Sequence, residues 1–362
     1  MDINYKQQLP EKPLPICIIG AGGIVKDAHL PAYQKAGFEV WSLTDIEVEK
    51  AEKLAREYDV ENVYDSVAET VAQAPDNAVY DLALVPDYFL EVLKQLPDNT
   101  PVLLQKPMGS SFDEARHIYS ICQEKKLNAA LNFQLRYAPF VNAARSLVEQ
   151  DAIGELYDME IRLTCHTPWP MFPSVMNKER LEILYHSIHY LDLVRSFLGD
   201  PQSVMAKTLR HPEKSTSSSR TTILFDYGDT LHAVINTNHD HEFGPKHEES
   251  FIKWEGTKGA IKAKMGLLLN YPEGVPDKFE YCLLDEDGEH EWKTKELEGS
   301  WFPDAFIGTM SSLMRYHTGE TKELPTRVAD SLKTMAVLEG AYTSSRRGGI
   351  SLNEFNLAGE ES

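Results

Sequence analysis

The first sustained apolar run of the chain, Ile16–Ile19, breaks into Gly20-Ala21-Gly22-Gly23 and continues from Ile24 toward Pro31 with helical character. That order predicts a buried strand, a tight turn and a helix. A second apolar run, Phe38–Leu43, ends at Thr44-Asp45, and the charged stretch Glu47–Tyr58 keeps Ala51 and Leu54 on one face of a predicted helix. Val63-Tyr64 predicts a short strand, and Ser66-Val67-Ala68-Glu69 has the spacing of a capping box that opens the next helix. Leu82–Val85, stopped by Pro86, and Val102–Gln105, stopped at Pro107, predict a fourth and a fifth strand. Ser111 caps a helix running to Lys126, and Ala129–Phe133 is a sixth strand. Strands alternating with helices at this rhythm predict an α/β domain over residues 1–135, built on a doubly wound parallel sheet.

The pattern changes beyond that point. Pro139–Gln150 predicts a helix, Glu155–His166 alternates like a half-exposed strand, and Glu179–Leu198 predicts a helix stopped at Gly199-Asp200-Pro201. Short strands follow at Ser203–Leu209, Thr221–Phe225, Thr230–Asn236, Ser250–Trp254, Gly259–Ala263 and Phe279–Leu284, with turn signals at Tyr227-Gly228-Asp229 and Asp287-Gly288. Asp304–Tyr316 and Val328–Arg346 predict closing helices. Residues 136–362 therefore read as an α+β domain with a large, open, mostly antiparallel sheet. A broad sheet face left uncovered exposes apolar side chains, which predicts self-association there.

Composition narrows the function more than the fold. A chain of 362 residues with 42% hydrophobic content has material for a large core and, at this length, for two domains. Its formal net charge of −20 repels phosphate-rich surfaces and argues against nucleic-acid and membrane-surface roles. A dinucleotide stays compatible, because backbone amides at a helix start supply local positive potential. Cys17, Cys122, Cys165 and Cys282 are far apart and form no CxxC pair, which favours reduced thiols over a zinc ribbon or a disulfide framework. Neither a signal-peptide core nor a bilayer-length apolar run is read, so a cytoplasmic protein is expected.

The candidate chemistry gathers at strand ends. Gly20 permits the turn, and Gly22 lets a pyrophosphate approach the backbone, while Val25 stands where such fingerprints place their third glycine. Asp45, at the tip of the second strand, is where a ribose hydroxyl pair is held. Ligands of doubly wound sheets sit beyond the carboxyl ends of the strands, and Gly20, Asp45, Val85-Pro86 and Lys106 all fall there. Lys106 is a candidate to hydrogen-bond a substrate hydroxyl and, once desolvated, to help move its proton; a solvated strand-end lysine is the plain alternative. His186 and His189, three apart on a predicted helix, share a face. With no further ligand at convincing spacing no metal is assigned, and a proton-transferring imidazole is preferred. His239, Asp240, His241 and His247 read as a solvated polar loop. Trp169, Phe172 and Trp301, beside prolines, are either apolar walls for a sugar-like ligand or ordinary packing.

Taken together these motifs resemble the glucose–fructose oxidoreductase/inositol dehydrogenase (Gfo/Idh/MocA) family, over Ile16 to about Leu352. The resemblance rests on Gly20-Ala21-Gly22-Gly23-Ile24 with His29-Leu30-Pro31-Ala32, on Gln105-Lys106-Pro107, on Asn132-Phe133-Gln134-Leu135-Arg136-Tyr137 and on His189-Tyr190-Leu191-Asp192. Trp254-Glu255-Gly256-Thr257-Lys258-Gly259, Trp301-Phe302-Pro303-Asp304-Ala305-Phe306 and Ala341-Tyr342-Thr343-Ser344-Ser345 add to it. It implies a Rossmann domain, an open-faced second domain that pairs chains into dimers or tetramers, and NAD(P)-linked oxidation or reduction of a sugar, cyclitol or related hydroxyl. By position, Lys106 is similar to the family's catalytic lysine and His189 to its proton-transferring histidine, with Tyr185 a third catalytic candidate. The implied cofactor set is Gly20, Gly22, Gly23, Ile24, Asp45, Val85, Pro86, Gln105 and Lys106; the implied substrate set is Lys106, Arg136, Trp169, His186 and His189. Asp45 with no arginine beside it favours NAD over NADP, because a carboxylate repels a 2′-phosphate.

Three positions depart from the family pattern. Gln105 replaces the glutamate of Glu-Lys-Pro, Tyr185 replaces the acid four residues before the histidine, and Phe89 lies where relatives often carry a histidine. A dehydrogenase or reductase is the first reading. A redox-neutral NAD-dependent glycoside hydrolase or lyase and a non-catalytic NAD-binding regulator stay open, the last disfavoured by retention of Lys106 and His189.

Overall fold

Four apolar residues in succession need burial on both faces, and in the computed structural model Ile16–Ile19 (β1) lies inside a parallel sheet. The structure describes residues 2–171, 178–214, 217–285 and 287–351. With β2 (Val40–Thr44), β3 (Asn62–Tyr64), β4 (Val79–Leu82), β5 (Pro101–Leu104) and β6 (Asn128–Leu131), the strand order is β3-β2-β1-β4-β5-β6. The order reverses between β1 and β4, so the ligand crevice of such a sheet opens beyond their carboxyl ends. The helices expected from the capping residues form there: Ser66 Oγ accepts the Glu69 N–H at 3.4 Å and Ser111 Oγ accepts the Glu114 N–H at 3.2 Å.

One strand lies earlier than the apolar pattern predicts. The fourth runs Val79–Leu82, and Ala83–Val85 belong to the loop beyond it, with Val85 exposed. The polar Asp81 disguised it. That carboxylate is fully buried in mid-strand because His29 Nδ1 lies 2.6 Å away and the Tyr33 hydroxyl donates to it at 2.7 Å.

The second sheet has eight strands: β7 (Leu156–Thr164), β8 (Ser203–Leu209), β9 (Arg220–Asp226), β10 (His232–Asn238), β11 (Glu249–Gly256), β12 (Gly259–Lys264), β13 (Lys278–Leu283) and β14 (Trp292–Lys295). All neighbours in the order β14-β13-β12-β11-β7-β10-β9-β8 are antiparallel except β7 and β10. The sequence did not predict β14, whose four residues carry no apolar alternation. Met159, Ile161, Ile235, Ile252 and Trp254 face the helices and are buried. Alternate positions carry Arg162 beside Glu249, His232 beside Asp158 and Lys253 beside Glu255 together with Met205, Leu224, Val234 and Phe251, so the open face mixes charged and apolar side chains. At the edge, the N–H groups of Ala206 and Thr208 donate to Ser344 and Ser345 hydroxyls of the helix Val328–Arg347, which covers β8. No helix among the described residues is long and apolar enough to cross a membrane.

The chain then returns to the first sheet. Phe306, Met310, Leu313 and Met314 of the helix Asp304–His317 join the cluster formed by Ile16, Ile18, Leu103 and Ala130. Arg136 ties this region to the second domain. Its guanidinium donates to Asp192 through Nε and Nη2, both at 2.6 Å, to Asp330 at 2.7 Å and to the Pro325 carbonyl at 3.0 Å. These partners engage Arg136, expected to contact substrate, in the fold itself. Removing one partner of a buried pair leaves a charge without compensation. Asp192→Ala is therefore expected to lower the unfolding free energy by about 3–5 kcal/mol, seen as a lower urea midpoint at unchanged slope. An unmoved midpoint would show that the cluster contributes nothing.

Candidate active site

At the carboxyl end of β1 the backbone requires glycine. Gly20 has φ +103°, and a Cβ there would lie 2.6 Å from the Ala83 carbonyl oxygen, while its own N–H donates to Thr44 O at 2.7 Å. Around Gly22, by contrast, the space a Cβ would fill is open to at least 4 Å, and Gly23 meets only Asp27 at that limit. Asp45 closes the loop from the neighbouring strand end: its carboxylate accepts the Ala21 N–H at 2.7 Å and the Glu47 N–H at 2.9 Å. Each oxygen keeps a lone pair, and the residue stays partly exposed. Lys50, the nearby cation, is paired to Glu47. An open cradle of small residues backed by an acid fits the phosphate and ribose portions of a dinucleotide.

Ile24 leads into a π-helical turn, Val25–His29, before the α-helix Leu30–Ala36, and Val25 is buried where the fingerprint's last glycine would stand. This turn brings His29, a residue the sequence reading quoted but gave no role, into a buried polar string. His29 Nδ1 faces Asp81, so its Nε2 serves as acceptor toward the Gln105 amide nitrogen at 3.2 Å. Gln105 Oε1 in turn accepts the Lys106 N–H at 2.8 Å, and Asn132, bonded by Thr309 Oγ1 at 2.8 Å, closes the other side of the string. A carboxylate at 105 has no proton to give Nε2. The neutral amide is thus the fitting group, and it acts on His29 and the lysine's backbone. Pro86 is buried at the next loop, on which Val85 is exposed.

Lys106 points the other way. Its Nζ donates to the carbonyl of Tyr185 at 2.7 Å, and burial lowers its pKa to about 8. Tyr185 therefore meets the lysine through its backbone oxygen, and its phenol is pushed up by burial. His189, on the helix Ile188–Leu198, is held edge-on between Phe133 and Trp301, with ring centroids 6.4 and 5.7 Å away. Its Nδ1 is buried without a hydrogen-bond partner, and burial, with Lys106 second, drives its pKa well below the usual range.

The predicted helix from Glu179 begins later and opens as a π-turn, Ile183–Ser187, a form that recurs at functional sites. His186 lies on it, with its ring 4.2 Å from that of His239 and Nδ1 3.9 Å from Glu182 Oε1. Burial and then His239, His189 and Lys106 hold His186 well below its ordinary pKa. Here the solvated-loop expectation fails: His239 and Asp240 are buried, whereas His247 is exposed. Trp169 covers His239 at 5.3 Å, and Phe172 lies outside the described residues. Burial disfavours charge on His239, but Cys165 and Glu182 outweigh it and raise its pKa to about 9. Glu182 escaped the sequence reading because it looks like any charged residue at the start of a helix.

Residues 14–133 match the model of an oxidoreductase family with an NAD-binding Rossmann fold, and residues 141–262 match the Gfo/Idh/MocA C-terminal domain. The chain is 24% identical over 318 residues to a D-apiose dehydrogenase of Rhizobium rhizogenes, covering 86% of this chain and 89% of the relative. It is 28% identical over 192 residues to an inositol 2-dehydrogenase of Pseudomonas savastanoi, covering 52% of this chain and 55% of the relative. An oxidoreductase from Agrobacterium radiobacter, solved in complex with NAD+, L-tartaric acid and magnesium, is similar at TM-score 0.78 and 21% identity over 93% of this chain and 98% of that one. The WlbA dehydrogenase from Bordetella pertussis, solved with NADH and UDP-GlcNAcA, reaches TM-score 0.71 at 18% identity over 93% and 98%. Both halves of the chain are matched, in the order its two sheets follow, and the protein belongs to the Gfo/Idh/MocA family of NAD-binding oxidoreductases.

Proposed function

We propose that the protein moves a hydride between NAD and a hydroxyl or carbonyl carbon of a sugar, cyclitol or sugar derivative. One observation carries this reading. Lys106, drawn out of water onto the Tyr185 carbonyl, is close enough to His189 for its charge to depress that imidazole, whose Nδ1 is unpartnered. The bound nicotinamide supplies the hydride acceptor or donor. His189, kept neutral at pH 7, takes the hydroxyl proton at Nδ1, and the Lys106 ammonium donates to the same oxygen and stabilises the developing alkoxide. The named activities of the apiose and inositol relatives support a polyol substrate.

Asp45 is the discriminating group for the nucleotide. Its loss should weaken NADH binding by about tenfold or more, since a hydrogen bond to a charged group contributes ~1.5–3 kcal/mol. The preference for NADH over NADPH should shrink with it. Fluorescence titration of both nucleotides with wild type and Asp45→Ala reads both effects. An unchanged ratio would remove Asp45 as the ribose anchor, and failure of wild type to bind either nucleotide would remove the cofactor reading.

The proton roles give a kinetic test. His189→Asn should lower kcat by about 10²–10⁴-fold on a polyol substrate while KM changes little. Lys106 acts as an ammonium, so kcat/KM for oxidation should fall as pH rises through about 8. Lys106→Arg should shift that fall out of the measured range. A profile flat through pH 8 would remove the charged lysine from the transition state.

The same desolvation predicts a stability effect. Lys106 carries a folded pKa of about 8 against 10.5 in the open chain, so burying its charge destabilises the fold fully below pH 8, and this cost fades as pH rises toward 10.5. Lys106→Met in the nucleotide-free protein should be more stable than wild type at pH 7 by about 1–3 kcal/mol. The gap should narrow by pH 9.5. Denaturant midpoints at the two pH values measure it, and a less stable variant at pH 7 would contradict it.

A further inference from the structure

We propose that Glu182, His186 and His239 form a binding site for one divalent transition-metal ion, zinc in the first instance. The three side chains each bring one ligand atom to a common point, all within 4.8 Å of one another. Glu182 Oε1 is 3.4 Å from His239 Nε2 and 3.9 Å from His186 Nδ1. Donors of a tetrahedral zinc with bonds of about 2.0–2.2 Å stand roughly 3.4 Å apart, so His239 and Glu182 already have that spacing and His186 must turn inward.

The satisfied atoms single out the same point. His239 Nδ1 lies 2.8 Å from Thr167 Oγ1, which leaves Nε2 directed at Glu182. Ser187 Oγ donates to Glu182 Oε1 at 2.5 Å, orienting the carboxylate as outer partners of metal ligands do. What remains is Glu182 Oε2, His186 Nδ1 and His239 Nε2, all buried and without hydrogen-bond partners. An ion pair between His239 and Glu182 would account for two side chains and leave the His186 nitrogen facing them with nothing to bind. A cation drawn onto Glu182 Oε1, which also takes the Ser187 hydrogen bond, would satisfy both ring nitrogens. Two imidazoles and one carboxylate are the donor set of open zinc sites, in which a further position takes water or a substrate oxygen.

His186 directly follows Tyr185, whose carbonyl holds Lys106, so the ion would lie beside the proposed reaction centre. On the dehydrogenase reading, that further position would take a second hydroxyl of the polyol. Metal binding itself does not depend on that reading.

The test uses tag-free full-length protein stripped with a chelator and titrated with Zn²⁺ by calorimetry and with Co²⁺ by visible absorbance. Saturation at one equivalent per chain, with ligand-field bands for bound Co²⁺ and a raised melting temperature, is the result expected. His186→Ala, at the least buried of the three ligands, should weaken binding at least tenfold while keeping the wild-type circular dichroism spectrum. His247→Ala, at an exposed histidine, should change nothing. Absence of one-equivalent binding by wild type, or binding unaffected by His186→Ala, overturns the proposal and leaves a buried ion pair. NADH titration of the same stripped protein reports the dehydrogenase reading separately.

Discussion

The site depends first on a buried carboxylate. Asp81 is a charged group in the middle of a central strand, and such a group survives only with hydrogen-bond partners brought to it from elsewhere. His29 and Tyr33 come from the helical segment after the glycine turn, and Gln105 comes through His29 from the end of β5. One buried carboxylate and its hydrogen bonds therefore fix the glycine loop, two strand ends and the backbone of Lys106 relative to each other. Thr309, on the helix that returns from the second domain, extends the same string through Asn132. The two halves of the chain are joined by polar bonds immediately behind the cleft.

Both sides of the cleft use a widened helical turn to present a histidine. Val25–His29 places His29 on the string, and Ile183–Ser187 places His186 toward Glu182 and His239 while its Tyr185 carbonyl receives Lys106. The second turn is followed directly by a regular helix carrying His189 and Asp192. Asp192 is anchored to Arg136, so the imidazole is positioned by an ion pair on the next turn of its own helix. A contact first read as recognition of a ligand fastens, in the fold, the helix that carries His189.

Much of this was legible in the chain because it follows from local rules. Short apolar runs ended by glycine or proline marked the strands, and Ser66 and Ser111 marked helix starts that formed. Gly20, Asp45 and Lys106 were singled out because strand ends are where such sheets place ligands. The misses share one cause. Asp81, His29, Glu182 and His239 are polar residues whose burial depends on partners 52 to 57 positions away, as for His29 with Asp81 and Glu182 with His239. No period or spacing in the sequence carries that information. The β4 boundary failed for the same reason.

The departures at 105 and 185 also have one physical consequence. A carboxylate beside an ammonium favours its charged form and holds its pKa up, whereas burial alone brings it down. Lys106 has an amide oxygen on its backbone N–H and a carbonyl oxygen on its Nζ, both neutral, and burial accounts for its shift to about 8. An acid at either position would oppose that shift by its charge. The carboxylate nearest in sequence, Glu182, is turned onto Ser187 and the His186–His239 pair. Negative charge is thus kept off the lysine, and under the proposed mechanism its ammonium would recover part of the cost of burial by donating to an oxygen that gains charge. A lysine stabilised by a carboxylate in the resting state would have less to gain from the alkoxide, so the neutral pair leaves more of its electrostatic energy for the transition state.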